Sequence, residues 1–257
     1  MLTKEDSIIS AFLKSLGPWK NQIIIGGGYA LIIYKLYLEG KMRGYPPVGT
    51  RDIDSLIPRR MRKMSTKDIA DHLIEAGFKV SFKSRDNPPI ESYVKEISEI
   101  EIEVEFLTDN AARFNKSKNV KIEGVVAQPL AYLKLSLENT VQFTTESGEA
   151  GLVVSPATWM FHKGLTFPAR TSESKKYKDL YGIWYVGTQL PMLFDGIIEE
   201  FNQLAQQNHK WFQKFQNNLK GWIEDAAPKD WMKLEAQDPF GALKKPGFER
   251  FIQTIIA

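Results

Sequence analysis

An α+β chain, with a sheet-bearing N-terminal part and a mainly helical C-terminal part, is predicted by three observations. First, residues 100–107 alternate without a break: Ile100, Ile102, Val104 and Phe106 take one face, and Glu101, Glu103 and Glu105 the other. That is the period of a half-buried strand. Second, several shorter β-branched runs before it and after it are interleaved with helical stretches, which places a sheet with flanking helices in the first half. Third, beyond Gly148 the pattern becomes helical and rich in Trp, Phe, Gln and Lys, and from Leu193 to Ala226 it is long, amphipathic and free of strands. These shifts divide the chain into a domain over residues 1–148 and a helical domain over 149–257.

The elements follow in order. Asp6 or Ser7 is placed to cap a helix that carries Ile8, Ile9, Phe12, Leu13 and Leu16 on one face and stops at Gly17-Pro18. Residues 21–25 read as a short buried strand, three glycines (Gly26, Gly27, Gly28) make a corner, and residues 29–38 read as a helix ended by Gly40. A Gly/Pro-rich loop over 44–49 leads into TRDIDSLIP, where Ile53 and Ser55 face one way and Asp52 and Asp54 the other, with a stop at Pro58. A helix is expected over 66–76 with Gly77 past its end, then strands over 78–82, 100–107 and 120–126. Ser155-Pro156 is a cap and first-turn signal for a helix through Trp159, Phe161 and Leu165.

Composition bounds the function. Apolar residues are 43% and charged residues 25% of the 257, a balance that supports a folded core rather than disorder. A net charge of +3 is too small to mark a nucleic-acid binder by bulk electrostatics. The run Arg59, Arg60, Arg62 and Lys63 is the one local basic cluster, placed to meet phosphates or to remain a solvated loop. With no cysteine, thiol nucleophiles, thiolate metal sites and disulfides are excluded. The three histidines, His72, His162 and His209, lack metal-ligand spacing. The N-terminal sequence has no basic region leading into an apolar one, and no uninterrupted apolar run approaches a membrane span, so a cytoplasmic chain without a membrane partner is expected.

Asp52 and Asp54 leave the same face of a strand, about 6–7 Å apart along it. Two such carboxylates repel unless a cation stands between them, and a hard divalent ion that also binds phosphates suits the pair. A third carboxylate on an adjacent strand would complete a two-metal clamp, with Glu101, Glu103 and Glu105 as candidates. The dinucleotide-binding pattern GxGxxG does not fit, because its third glycine position is Leu31.

The succession of GGGYA, TRDIDSLIP and VEFLTD resembles the nucleotidyltransferase superfamily with the polymerase-β-like fold. Its members have a strand, a glycine corner, a helix, a strand bearing Asp-x-Asp and a later strand bearing a third acid. The segment from Ser155 to Val186, with Lys163, Arg170 and Lys178-Asp179, resembles the helical portion of minimal and abortive-infection-type members. Together these cover residues 20–190. Two departures stand out: Gly27 replaces the serine common in the family, and the third acid is glutamate rather than aspartate.

The resemblance implies a mixed β-sheet with flanking helices and assigns roles. Asp52, Asp54 and Glu105, with Glu103 as second choice, would hold Mg²⁺ or Mn²⁺. Gly26, Gly27, Thr50 and Arg51 would bind the nucleotide, and Lys163 would neutralise phosphate charge with Asp179 orienting it or the nucleotide. The implied reaction is transfer of a nucleoside monophosphate from a nucleoside triphosphate to a hydroxyl of an RNA such as tRNA, a protein or a small molecule. A toxin-like setting with a cognate antitoxin is implied by the same likeness. The alternative from a different class is a catalytically inactive protein of this fold that serves in binding or regulation.

Overall fold

The structure, a computed structural model, describes residues 3–39, 47, 49–84, 87–110 and 118–256. Gly40 and most of the 44–49 loop lie outside the described residues. The described residues of 1–33 and 49–155 form one compact unit, and those of 34–48 and 156–257 form another.

In the first unit, helix α1 (Lys4–Ser15) is followed by strand β1 (Ile24–Ile25), α2 (Gly27–Ile33), β2 (Asp52–Leu56), α3 (Ile69–Glu75), β3 (Lys79–Phe82), β4 (Glu91–Ile97) and β5 (Ile100–Asp109). Then come β6 (Val120–Ile122), β7 (Val125–Leu130), α4 (Leu133–Glu138), β8 (Thr140–Thr144) and β9 (Ala150–Val154). The strands make one mixed sheet in the order β3-β4-β5-β2-β1-β9-β8, with β7 also paired to β5 and β6 to β7. The expected mixed sheet with flanking helices is therefore present.

Several local differences have physical causes. The residue that caps α1 is Thr3, whose hydroxyl accepts the Asp6 N–H at 3.0 Å. Asp6 is instead fully buried and accepts the Glu146 N–H at 2.9 Å, so its carboxylate serves a tertiary contact. The expected strand over 21–25 shortens to Ile24–Ile25 because Gly17–Asn21 wind into a 3₁₀ helix. The expected strand over 120–126 is a hairpin, since Glu123 and Gly124 both take positive φ and reverse the chain. β9 lies parallel to β1, with Ile24 opposite Leu152 and Ile25 opposite Val153. That pairing holds the segment up to Ser155 in the first unit.

The register of β2 and β5 follows from burial. Ile53, Ile102, Val104 and Phe106 are at most 1% exposed, so one face of both strands is sealed into the core. A slip by one residue would expose all of them. Phe106 meets Tyr93 of β4 edge to face, with ring centroids 5.9 Å apart.

The second unit comprises α5 (Pro156–Thr166), α6 (Glu173–Thr188), α7 (Phe194–Gln207), α8 (His209–Asp225), α9 (Pro228–Glu235) and α10 (Lys245–Ile256), together with a π-helical turn over Tyr34–Leu38. Its core is aromatic. Phe161, Phe201 and Phe215 stand 5.1–5.7 Å apart by ring centroid, and Trp222, Trp231 and Phe248 form a second group at 4.6–5.8 Å. Phe215, Trp222 and Trp231 are buried, which makes them core residues. Among the described residues no helix is long and apolar enough to cross a membrane.

Phe106→Ala is expected to destabilise the protein by about 3–5 kcal/mol, measured as a fall in the urea midpoint at unchanged slope.

Candidate functional site

Three segments of the first unit meet at one place: the glycine corner after β1, the acidic strand β2 and the acidic strand β5. β1 and β2 are antiparallel, with Ile25 opposite Ser55. The Gly26 N–H extends this ladder by donating to the Asp54 carbonyl at 2.8 Å. Because that donor is engaged, Gly26 can offer a ligand only bare backbone and not its N–H. Gly27 has φ 55°, and a Cβ there would overlap the Asp54 carboxylate. Two independent constraints, the left-handed backbone and the carboxylate lying over Cα, both demand glycine. At Gly28 a Cβ would stand 2.8 Å from the Thr50 Cγ2. The corner is thus shaped to seat the side chains of Asp54 and Thr50.

Thr50 Oγ1 accepts the Asp52 N–H at 3.3 Å. Arg51 is exposed, and its carbonyl accepts the Glu103 N–H at 3.0 Å, which carries the β2–β5 ladder one residue further. β2 and β5 run parallel with Asp52 opposite Glu103 and Asp54 opposite Glu105. In-register neighbours share a face, so four carboxylates stand on the face opposite the buried Ile53 and Val104. Glu105 is therefore beside Asp54, and Glu103 is beside Asp52. Glu101 pairs with Glu96 of β4 and has no partner in β2, which removes it from the row.

Lys83, which the sequence reading did not single out, completes the charge pattern. Its ammonium is 2.7 Å from Glu103 and 2.5 Å from Glu105. Burial alone would lower the lysine's pKa, but the hydrogen bonds it donates to both glutamates, with their negative charge, outweigh it and raise the pKa. Glu103 is affected conversely: burial opposes ionisation, and the Lys83 ammonium overcomes this and lowers its pKa. Tyr29, 2% exposed at the start of α2, has its phenol pushed upward by burial first and then by the charges of Glu5 and Asp52.

Oxygen donors of this kind suit a hard divalent ion, and the Asp54 carboxylate, seated over Gly27, is the one such an ion would meet at the glycine corner. Among the described residues, however, no group of three His, Asp or Glu side chains is gathered closely enough to hold a metal. The two glutamates are turned to Lys83.

The remaining expected residues form a second cluster inside the helical unit. Asp179 of α6, 6% exposed, takes Lys163 Nζ of α5 on Oδ1 at 2.9 Å and Arg170 Nε on Oδ2 at 2.7 Å. Lys163 also stands 5.3 Å from the ring centre of Trp159. Burial would raise the Asp179 pKa, but the two cations overcome it and hold the carboxyl below the usual range. Lys178 is exposed. Of the basic run, Arg59 donates to the Asp109 carbonyl at 2.8 Å and Lys63 pairs with Glu123 at 3.1 Å, while Arg60 and Arg62 are exposed.

A family model described as nucleotidyltransferase matches residues 5–190. The chain belongs to this nucleotidyltransferase family. A solved structure of an antigenic nucleotidyltransferase-like protein from Paracoccidioides brasiliensis is 17% identical, with a TM-score of 0.50 over 91% of this chain and 93% of its own. At that identity the likeness concerns the fold. A protein from H. pylori described as a candidate nucleotidyltransferase is 11% identical, with a TM-score of 0.45 over 98% of this chain and 92% of its own. No match is found among the curated proteins. For this nucleotidyltransferase-family chain, membership implies a nucleoside triphosphate as substrate.

Gly27→Ala is expected to cost about 1–3 kcal/mol through its strained backbone and to displace the Asp54 carboxylate, seen as a lowered melting temperature and shifted Asp54 resonances. Asp179→Asn is expected to cost about 3 kcal/mol at neutral pH by leaving two cations unpaired. A carboxyl whose pKa falls on folding contributes stability above its unfolded value and loses it as pH falls through the folded value. The gap between wild type and Asp179→Asn in urea midpoint should therefore be full at neutral pH and close in acid below about pH 4.

Proposed function

We propose that this chain is a divalent-metal-dependent nucleotidyltransferase that moves a nucleoside monophosphate from a nucleoside triphosphate to a hydroxyl acceptor. The observation that carries the reading is the pairing of Asp52 with Glu103 and of Asp54 with Glu105 beside a glycine corner whose Gly27 is overlaid by Asp54. Asp52, Asp54 and Glu105 are the residues that would hold Mg²⁺ or Mn²⁺. When bound, the metal supplies neutralising charge and lowers the pKa of the acceptor hydroxyl.

The chain's own residues define the rest of the chemistry. The acceptor oxygen attacks the α-phosphorus in line, the bond to the β-phosphate breaks, and pyrophosphate leaves. The hydroxyl proton passes to a carboxylate of the acidic row. Gly26 and Gly27 would bound the nucleotide as the corner beside the acids, the space over Gly27 being held by the Asp54 carboxylate, with Thr50 and Arg51 flanking the acids. Asp179 positions Lys163, an ammonium of the kind that balances phosphate charge as it develops. RNA such as tRNA, protein or a small molecule are the acceptors in keeping with the reading. The Lys163, Arg170 and Lys178-Asp179 pattern supports a toxin-like setting with a cognate antitoxin.

The test incubates the full chain with each labelled nucleoside triphosphate, Mg²⁺ or Mn²⁺, and total RNA or lysate. The wild type is expected to transfer label, and Asp52→Ala/Asp54→Ala to lose at least about 100-fold in rate. Nucleotide binding without transfer by the wild type would identify a binding protein instead.

A further inference from the structure

Lys83 follows the last residue of β3, and its N–H donates to the Ile90 carbonyl at 2.8 Å just before β4 begins. By strand alternation its side chain leaves the same face as Ser81. Ser81 is opposite Ser92 of β4, Ser92 is opposite Glu105 of β5, and Glu105 is opposite Asp54 of β2. The row across four strands thus reads serine, serine, glutamate, aspartate. The lysine reaches from the end of β3 to both glutamates of β5.

An exposed ion pair is ordinarily worth little, and two features set this one apart. One ammonium contacts two carboxylates at once, and those carboxylates are the register partners of Asp52 and Asp54. Four carboxylates on one face carry a formal charge of about −4, which the lysine reduces to about −3. The same ammonium points the glutamates at itself, in keeping with the lack of a three-carboxylate group among the described residues.

We propose that Lys83 is a tethered counter-cation of the Glu103/Glu105 pair that competes with divalent ions for these carboxylates and so limits the affinity of the acidic face for metal. The proposal rests on the metal-dependent reading above, because it concerns the same face. It assigns Lys83 a positioning role, acting on the reaction through the glutamates. A neutral side chain at position 83 frees both glutamates and removes the repulsion between ammonium and divalent ion. Arginine there keeps the competing charge.

Mn²⁺ titrations of the full chain, following the free ion by electron paramagnetic resonance, would compare wild type, Lys83→Met, Lys83→Gln, Lys83→Arg and Asp52→Asn/Asp54→Asn. Lys83→Met and Lys83→Gln are expected to bind Mn²⁺ about tenfold more tightly than wild type, with Lys83→Arg close to wild type. Adding Glu103→Gln/Glu105→Gln to Lys83→Met should abolish the gain. Equal Mn²⁺ affinity in wild type and both neutral variants, with binding lost in Asp52→Asn/Asp54→Asn, would overturn the role of Lys83 and leave the metal-dependent reading intact. Absence of Mn²⁺ binding in wild type and neutral variants alike, while circular dichroism shows them folded, would overturn both.

Discussion

The candidate site depends on one constraint, the parallel pairing of β2 with β5 in a single register. Apolar burial sets that register. Ile53 on one strand and Ile102, Val104 and Phe106 on the other are sealed from water, and a slip by one position would put them in solvent and the acids in the core. The residues that hold the strands together are therefore the ones that align the carboxylates. Packing energy on one face maintains a concentration of like charge on the other.

That charge has to be compensated, and the structure does so in different ways in its two units. In the sheet unit, Lys83 reaches from the end of β3 to Glu103 and Glu105, and the three groups remain partly in water. In the helical unit, Asp179 is almost fully buried and is held by two cations on separate oxygens. Burial makes the second arrangement the more rigid, since an uncompensated charge there has no water to fall back on. The partly hydrated Lys83 contacts are screened and exchangeable by comparison, which suits carboxylates whose proposed role is to exchange one cation for another.

The glycine corner shows how a short motif acquires its meaning from a neighbour. Three successive glycines open backbone freedom for many purposes. Here the space at Gly27 is taken by the carboxylate of Asp54 and that at Gly28 by Thr50. The corner, the acids and the threonine are parts of one packed arrangement, in which the corner is sewn to β2 by the Gly26 to Asp54 hydrogen bond.

The sequence by itself determined the mixed fold with its helical C-terminal part, the strand carrying Asp52 and Asp54, and the face carrying Glu103 and Glu105, because alternation with period two is a local property of the chain. It left β4, β8 and β9 unread: Glu91–Ile97 carries mixed burial rather than clean alternation, and the two later strands are only five residues each. Lys83 was missed for the same reason: its partners lie two strands away, and without β4 nothing links residue 83 to residues 103 and 105. That Glu103 and Glu105 stand beside β2 and Glu101 does not also needed tertiary structure. Strand register is set by which apolar side chains meet across the sheet, and that is a property of two distant segments packed together rather than of either one alone.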